Sequence, residues 1–359
     1  MKRTIYASVS ALALLAATPA FAGDNTSTVS QAGTNSSASV SQGGDNASSL
    51  ITQGVFGDSN TAIVNQDGSL FGDGSTIDQE GSDNYAAVTQ SDDGSECVFC
   101  SFEAPMDTSS ITQGGSYNSA TVTQTTSTFQ APTNSTVDQS GWFNTADVTQ
   151  VDDSQNSSIT QSSDGNYATV SQGDPAKAPD DESWGNNSTI NQHGYGGHYA
   201  SVTQTTLENS SSIDQDGFGN SATVMQIGDE GTGANISTIT QAGAFNDATV
   251  TQTGDFNGST VTQSNVGNYA NVNQNGIGNG STVEQSASYS DYFSDGSGIA
   301  NVTQVGNNSA SDVNQSGAND VATVEQLASN NGSGVTQSGE GDFTHVRQAG
   351  GGNSSVVVQ

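Results

Sequence analysis

The chain has 359 residues, with 37 Asp+Glu against 4 Lys+Arg, a formal net charge of −33, 31% apolar residues and 43 glycines. No basic surface is present to meet nucleic acid or anionic lipid, which excludes both as partners. The apolar fraction falls below the ~45–50% of ordinary globular domains. A conventional core is therefore excluded, leaving disorder or a repeat architecture.

Residues 1–22 (MKRTIYASVSALALLAATPAFA) come first. Lys2 and Arg3 supply a charged start, Ile5 to Ala17 an apolar run, and Ala20-Phe21-Ala22 a small–x–small cleavage pattern. The run is shorter than the ~20 residues that span a bilayer. It reads as a secretory signal peptide, which makes Gly23 the expected first residue of an exported mature chain (23–359). No later stretch is apolar enough for membrane insertion.

From Gln31 to Gln359, 27 glutamines form a comb in which 18 of the 26 intervals are 11 residues and every other interval is longer. Gln130 and Gln155 lie off it, so Gln155 is expected to matter less than the comb residues. Two residues before each comb Gln stands Val or Ile, and four before it stands a small residue. That small residue alternates between Ser and Ala, as in Ser237-Ile239-Gln241 followed by Ala248-Val250-Gln252, with Thr344 the one departure. The unit is thus a pair of arms spanning 22 residues, with 13 pairs and a closing half.

Positions at −4, −2 and 0 share one face of a β-strand. Gly follows the comb Gln by two residues in 16 cases, and Asn precedes it by six in 16 arms. Both residue types accept turn geometry with positive φ, so each unit reads strand–turn–strand–turn. Such a unit buries its inner face only by stacking. The predicted fold is all-β: a two-sheet parallel β-solenoid of cross-β character, roughly 65 Å long at ~4.8 Å per rung. Its core has three ladders, exemplified by Ser237, Ile239, Gln241, Ala248, Val250, Gln252, Ser259, Val261, Gln263, Ala270, Val272 and Gln274, with Asn246 and Asn268 at the turns. None of the 81 core positions is charged, and the acids are expected on outward strand positions and in turns and insertions.

The longer intervals predict rim insertions near 91–108, 173–187 and 286–300. The first holds Cys97 and Cys100, read as a local disulfide, with a free or redox-active pair as the alternative. Two cysteines without a nearby His do not make a zinc site, and Ser101 stands where haem attachment requires His. The second holds Pro175, Pro179 and three consecutive acids, read as a solvated loop. His193 and His198 flank one turn and read as polar turn residues rather than a metal site. No nucleophile–base grouping or phosphate loop is present, so neither enzyme activity nor a cofactor is expected.

The repeat begins at Ser27-Val29-Gln31 and closes with Ser355-Val357-Gln359. Neither arm is followed by a capping element, so open strand edges are expected to template another copy. The pattern Ser…Gln-x-Gly-x-x-Asn-x-Ala-x-x-x-Gln resembles the curlin repeat of curli, the secreted amyloid of Gram-negative biofilms. Residues 237–252 (STITQAGAFNDATVTQ) carry it, as do residues 259–274 (STVTQSNVGNYANVNQ), where Asn265 replaces the Gly. The resemblance implies export through an outer-membrane pore and self-polymerisation on the cell surface, with a nucleator subunit as partner. The chain is longer than the usual family subunit and lacks the Gly-rich segment that precedes the repeats in the family. The regular ladders favour the major fibre subunit, while His345 and Arg347 point toward the nucleator. A monomeric acidic adhesin or ion-binding solenoid, and an ice-binding solenoid with Thr ladders, are the alternative classes.

Overall fold

The computed structural model describes residues 25–43, 46–54, 58–67, 72–92, 107–126, 132–152, 154–173, 185–228, 233–286 and 297–359. Residues 1–22, read as a signal peptide, the Cys97/Cys100 pair and most of the three long insertions lie outside them. Every regular element among the described residues is a strand. Chain order alternates between two sheets: odd-numbered strands form one of 14 strands, and even-numbered strands form one of 13. Each strand pairs in parallel with its equivalent one rung away, never with its sequence neighbour, which is the two-sheet β-solenoid the comb implies.

The register keeps identical chemistry in contact. Strand β17 (Ile236–Ala244) pairs with β19 (Gly258–Val266), placing Ser237 beside Ser259, Ile239 beside Val261 and Gln241 beside Gln263. In the other sheet β18 (Asp247–Thr253) pairs with β20 (Tyr269–Asn275), aligning Ala248 with Ala270, Val250 with Val272 and Gln252 with Gln274. Burial alternates along each interior strand, and the Val or Ile two before each comb Gln, from Ile51 to Val335, is sealed from solvent. A slip of one residue would turn every ladder outward, so the alternation specifies register.

Both rims are made of tight turns that repeat one conformation. The residue four past the comb Gln adopts positive φ in turn after turn, as in Asn35 (57°), Asp83 (56°), Gly165 (68°), Asn319 (59°) and Gly341 (74°). Two residues past the Gln, Gly243 has φ 112°, and a Cβ there would meet the Asn265 carbonyl oxygen at 2.0 Å. Glycine is required at residue 243 by backbone stacking as well as by φ, while the next rung holds Asn265 there at φ 72°.

The core is one ladder deeper than three. The residue six before the comb Gln is fully buried in most rungs, including Asn60, Asn84, Asn118, Asn144, Asn166, Asn220, Asn246 and Asn268. Its side chain binds the turn of the next rung instead of facing solvent. Four acids occupy this ladder, and Asp73, Asp107 and Asp320 are buried while Asp342 is half-buried. A place in a turn therefore does not expose these three side chains to solvent. Gln155 also stands six before a comb residue, Gln161, and is buried, so it belongs to the core and is not peripheral.

Candidate assembly surface

Each comb Gln makes two kinds of bond at once. Gln241 Nε2 donates to Gln263 Oε1 at 2.8 Å in its own sheet, and to the Ser221 carbonyl at 2.7 Å on β16 (Ser221–Ile227) of the facing sheet. Gln252 Nε2 does the same, reaching Gln274 Oε1 at 2.9 Å and the Ile236 carbonyl at 3.0 Å. Gln263 and Gln274 continue both ladders through Gln285 and Gln304, each at 2.9 Å. One amide therefore binds rung to rung and sheet to sheet, which requires the reach of Gln and both of its amide protons.

The turn ladder is a second amide column. The Asn246 N–H donates to Asn220 Oδ1 at 3.0 Å, and the Asn268 N–H donates to Asn246 Oδ1 at 3.0 Å. These bonds satisfy buried backbone donors where the chain leaves one sheet for the other. His198 takes the Asn place in its rung. Its N–H donates to Asn166 Oδ1 at 3.0 Å, its Nδ1 accepts from the Asn220 N–H at 3.2 Å, and its Nε2 lies 2.9 Å from the His193 carbonyl. The bonds assign the neutral Nε2–H tautomer, and burial holds its pKa below the usual histidine value. Both ring nitrogens are engaged inside the fold. His193 instead faces Asp214 at 2.9 Å and Asp216 at 3.3 Å. No group of metal-ligating side chains is assembled among the described residues.

The serine ladder behaves differently. Ser237 and Ser259 are buried, and their Oγ atoms, like those of Ser211, Ser281 and Ser311, have no hydrogen-bond partner among the described residues. A buried unpaired hydroxyl costs about 1–3 kcal/mol. The facing ladder is Ala, so this polar column distinguishes one sheet from the other.

At the first described rung, β1 (Thr26–Gln31) pairs with β3 (Ser48–Gln53) through Ser27–Ser49, Val29–Ile51 and Gln31–Gln53. At the last, β25 (Gly332–Gln337) pairs with β27 (Ser354–Val358) through Ser333–Ser355 and Val335–Val357. Gln337 Nε2 donates to Gln359 Oε1 at 3.3 Å, extending the ladder to the final residue. No strand among the described residues covers the outer edge of β1 or β27, and Val29, Val356 and Val358 are exposed there. The amide column also has a direction. From Gln31 onto Gln53 at 2.7 Å to Gln337 onto Gln359, the lower-numbered Nε2 donates to the higher-numbered Oε1. The β1 side thus presents amide oxygens and the β27 side amide donors.

These features define a class: a parallel two-sheet β-solenoid held by in-register amide ladders. Residues 33–68, which run through β2 (Ser37–Gln42), β3 and β4 (Thr61–Asp67), match the family described as the curlin associated repeat. That segment carries the curlin repeat, and the same ladder positions recur in register in the later rungs. That family is structural and, in bacteria, extracellular. No curated protein matches the chain.

Proposed function

We propose that the mature chain is the structural subunit of an extracellular, curli-like amyloid fibre on a Gram-negative cell surface. It grows by head-to-tail addition at the edges of β1 and β27 and serves biofilm matrix and adhesion. The observation that supports this reading is the directional Gln ladder, whose donors at one end match the acceptors at the other. Parallel pairing gives the outer strand edges the same complementarity. Ser27, Val29 and Gln31 would take the places that Ser355, Val357 and Gln359 take beneath them. Residues 1–22 would direct export, an outer-membrane pore would carry the chain across, and a nucleator would seed it. The outward position of Arg347, paired with Glu325 at 3.3 Å, leaves the ladder faces uncharged and fits a major subunit. The net charge of −33 opposes association until strands dock, because like charges repel and gate pairing.

The test is fibre growth of the purified mature chain, followed by dye binding with and without preformed seeds. A lag abolished by seeds and a ~4.7–4.8 Å meridional reflection are expected. A chain that stays monomeric with seeds present, and gives no such reflection, would overturn the reading.

A further inference from the structure

Most of the exposed turn aromatics lie on one rim of the solenoid, although Phe256 (φ 56°, 58% exposed) shares the feature on the other. Turns leading from an odd to an even strand carry a file of exposed aromatic rings. Tyr117, Phe143 and Phe245 occupy the position of positive φ (59°, 61° and 55°) that Gly, Asn or Asp fills in equivalent turns. Bulky residues are outliers in that backbone region, and outliers of this kind concentrate at functional positions. Burial does not compensate, since the three residues are 51%, 60% and 60% exposed. Trp142 is 56% exposed beside them, and Tyr117 stacks on Phe143 at 5.0 Å with 10° between the planes. Farther along, Phe218 meets Phe245 edge-on at 5.3 Å.

This rim is also unobstructed. Between Gln79 and Gln274 its turns gain a single extra residue, whereas five of the eight long intervals fall on the opposite rim. Carboxylates line the same turns. Asp164 Oδ1 accepts the backbone N–H of Trp142 at 2.8 Å, which sets an acid one rung from that residue. Asp83 and Asp216 occupy neighbouring turns.

We propose that this aromatic rim is a docking rail for an arginine-rich polypeptide segment. Guanidinium planes stack on aromatic faces and pair with carboxylates, and a net charge of −33 steers cations toward the surface. Charge complementarity selects this occupant. A second copy would bring the same sign of charge to the rim, and a neutral polymer would bring no positive charge to the carboxylates. A single copy presents the whole rail, so the inference does not rest on fibre formation.

The experiment titrates an oligoarginine peptide into the mature chain carrying Trp184→Phe, which leaves Trp142 as the only tryptophan. The comparison ligands are an oligolysine peptide of equal length and a neutral oligosaccharide. Oligoarginine is expected to bind more tightly than oligolysine and to change Trp142 fluorescence. The triple variant Tyr117→Asn, Phe143→Asn, Phe245→Asn suits the backbone, because Asn accepts positive φ. It is expected to lose about ten-fold in oligoarginine affinity while oligolysine binding holds, as expected of several exposed cation–π contacts. Equal affinity of the two peptides with unchanged Trp142 emission would reduce the rail to net charge and overturn the proposal. Aromatic-dependent binding of the oligosaccharide without that of oligoarginine would overturn it equally.

Discussion

The Thr344 hydroxyl donates to Gln359 Oε1 at 2.6 Å and accepts from Gln337 Nε2 at 3.3 Å. Thr344 lies on β26 (Phe343–Gln348), where the other even strands have Ala at the equivalent position. Its hydroxyl thus crosses between the sheets at the last rung and orients the terminal amide.

Thr344→Ala removes that support and leaves Gln359 Oε1 with one donor, at 3.3 Å. The expected loss is about 0.5–1.5 kcal/mol, the net worth of one hydrogen bond, confined to the last rung. Hydrogen exchange should show faster opening of β27 with unchanged protection at β17. Thr344→Ser, which keeps the hydroxyl, should restore it.

Gln241→Ala leaves Gln215 Nε2, which donates to Gln241 at 2.8 Å, with only the Tyr199 carbonyl as acceptor, and strands the Oε1 of Gln263. With the cavity added, the expected cost is about 2–5 kcal/mol, visible as a lower unfolding midpoint and slower seeded growth. Gln252→Ala should match it. Gln155→Ala should also destabilise, because Gln155 is buried in the turn column. The outward Thr249→Ser provides the control, and a loss there as large as at Gln241 would count against the ladders.

Ser237→Ala should stabilise the chain by up to about 1–3 kcal/mol by removing a buried hydroxyl that lacks a partner. The same change at Ser211, Ser259 and Ser281 makes the facing columns alike, and the distinction between odd and even arms weakens. Denaturation should show higher stability. Distance measurements between spin labels on single rungs should show a fraction of chains displaced by one arm.

Burial raises the pKa of Asp320 above the ordinary carboxylate value, and the hydrogen bond from the Asp342 N–H offsets part of the shift. A carboxylate with a raised folded-state pKa stabilises the fold most when protonated, so its contribution is present in acid and lost as pH rises through the folded value. Asp147 and Asp247 shift upward through burial as well. Mild acidification should therefore stabilise the folded chain. Asp320→Asn, which installs the residue usual in that column, should stabilise it at neutral pH and reduce the pH dependence. Unfolding midpoints across the acid range check both outcomes, and an unchanged pH slope in the variant would assign the effect to other carboxylates.

The comb made most of the fold legible. Gln241, Ile239 and Ser237 recur at spacing two, so their shared inward face follows from strand geometry alone. The equivalent pairing of Gln241 with Gln263 follows from stacking identical units. The role of Asn246 was only half legible: Asn is a turn former by local preference, and local preference carries no record of which carbonyl or N–H the next rung brings near. The burial of Gln155 and His198 was illegible for the same reason, since each fills an Asn position only once the rungs are superposed.

The sequence by itself thus determined the period, the strand polarity and the inner face, because these are properties of consecutive residues. Tertiary structure alone decided the depth of the core, the direction of the amide column and the aromatic file on one rim. Those depend on residues 22 or more positions apart, such as Gln241 and Gln263 or Tyr117 and Phe143, which meet only when rung stacks on rung. The acid-rich composition acquires its distribution there too. Most described acids stay outside the ladders, while Asp73, Asp107 and Asp320 are drawn inside by the turn column, where a stacked backbone donor such as the Asp342 N–H bonded to Asp320 replaces water.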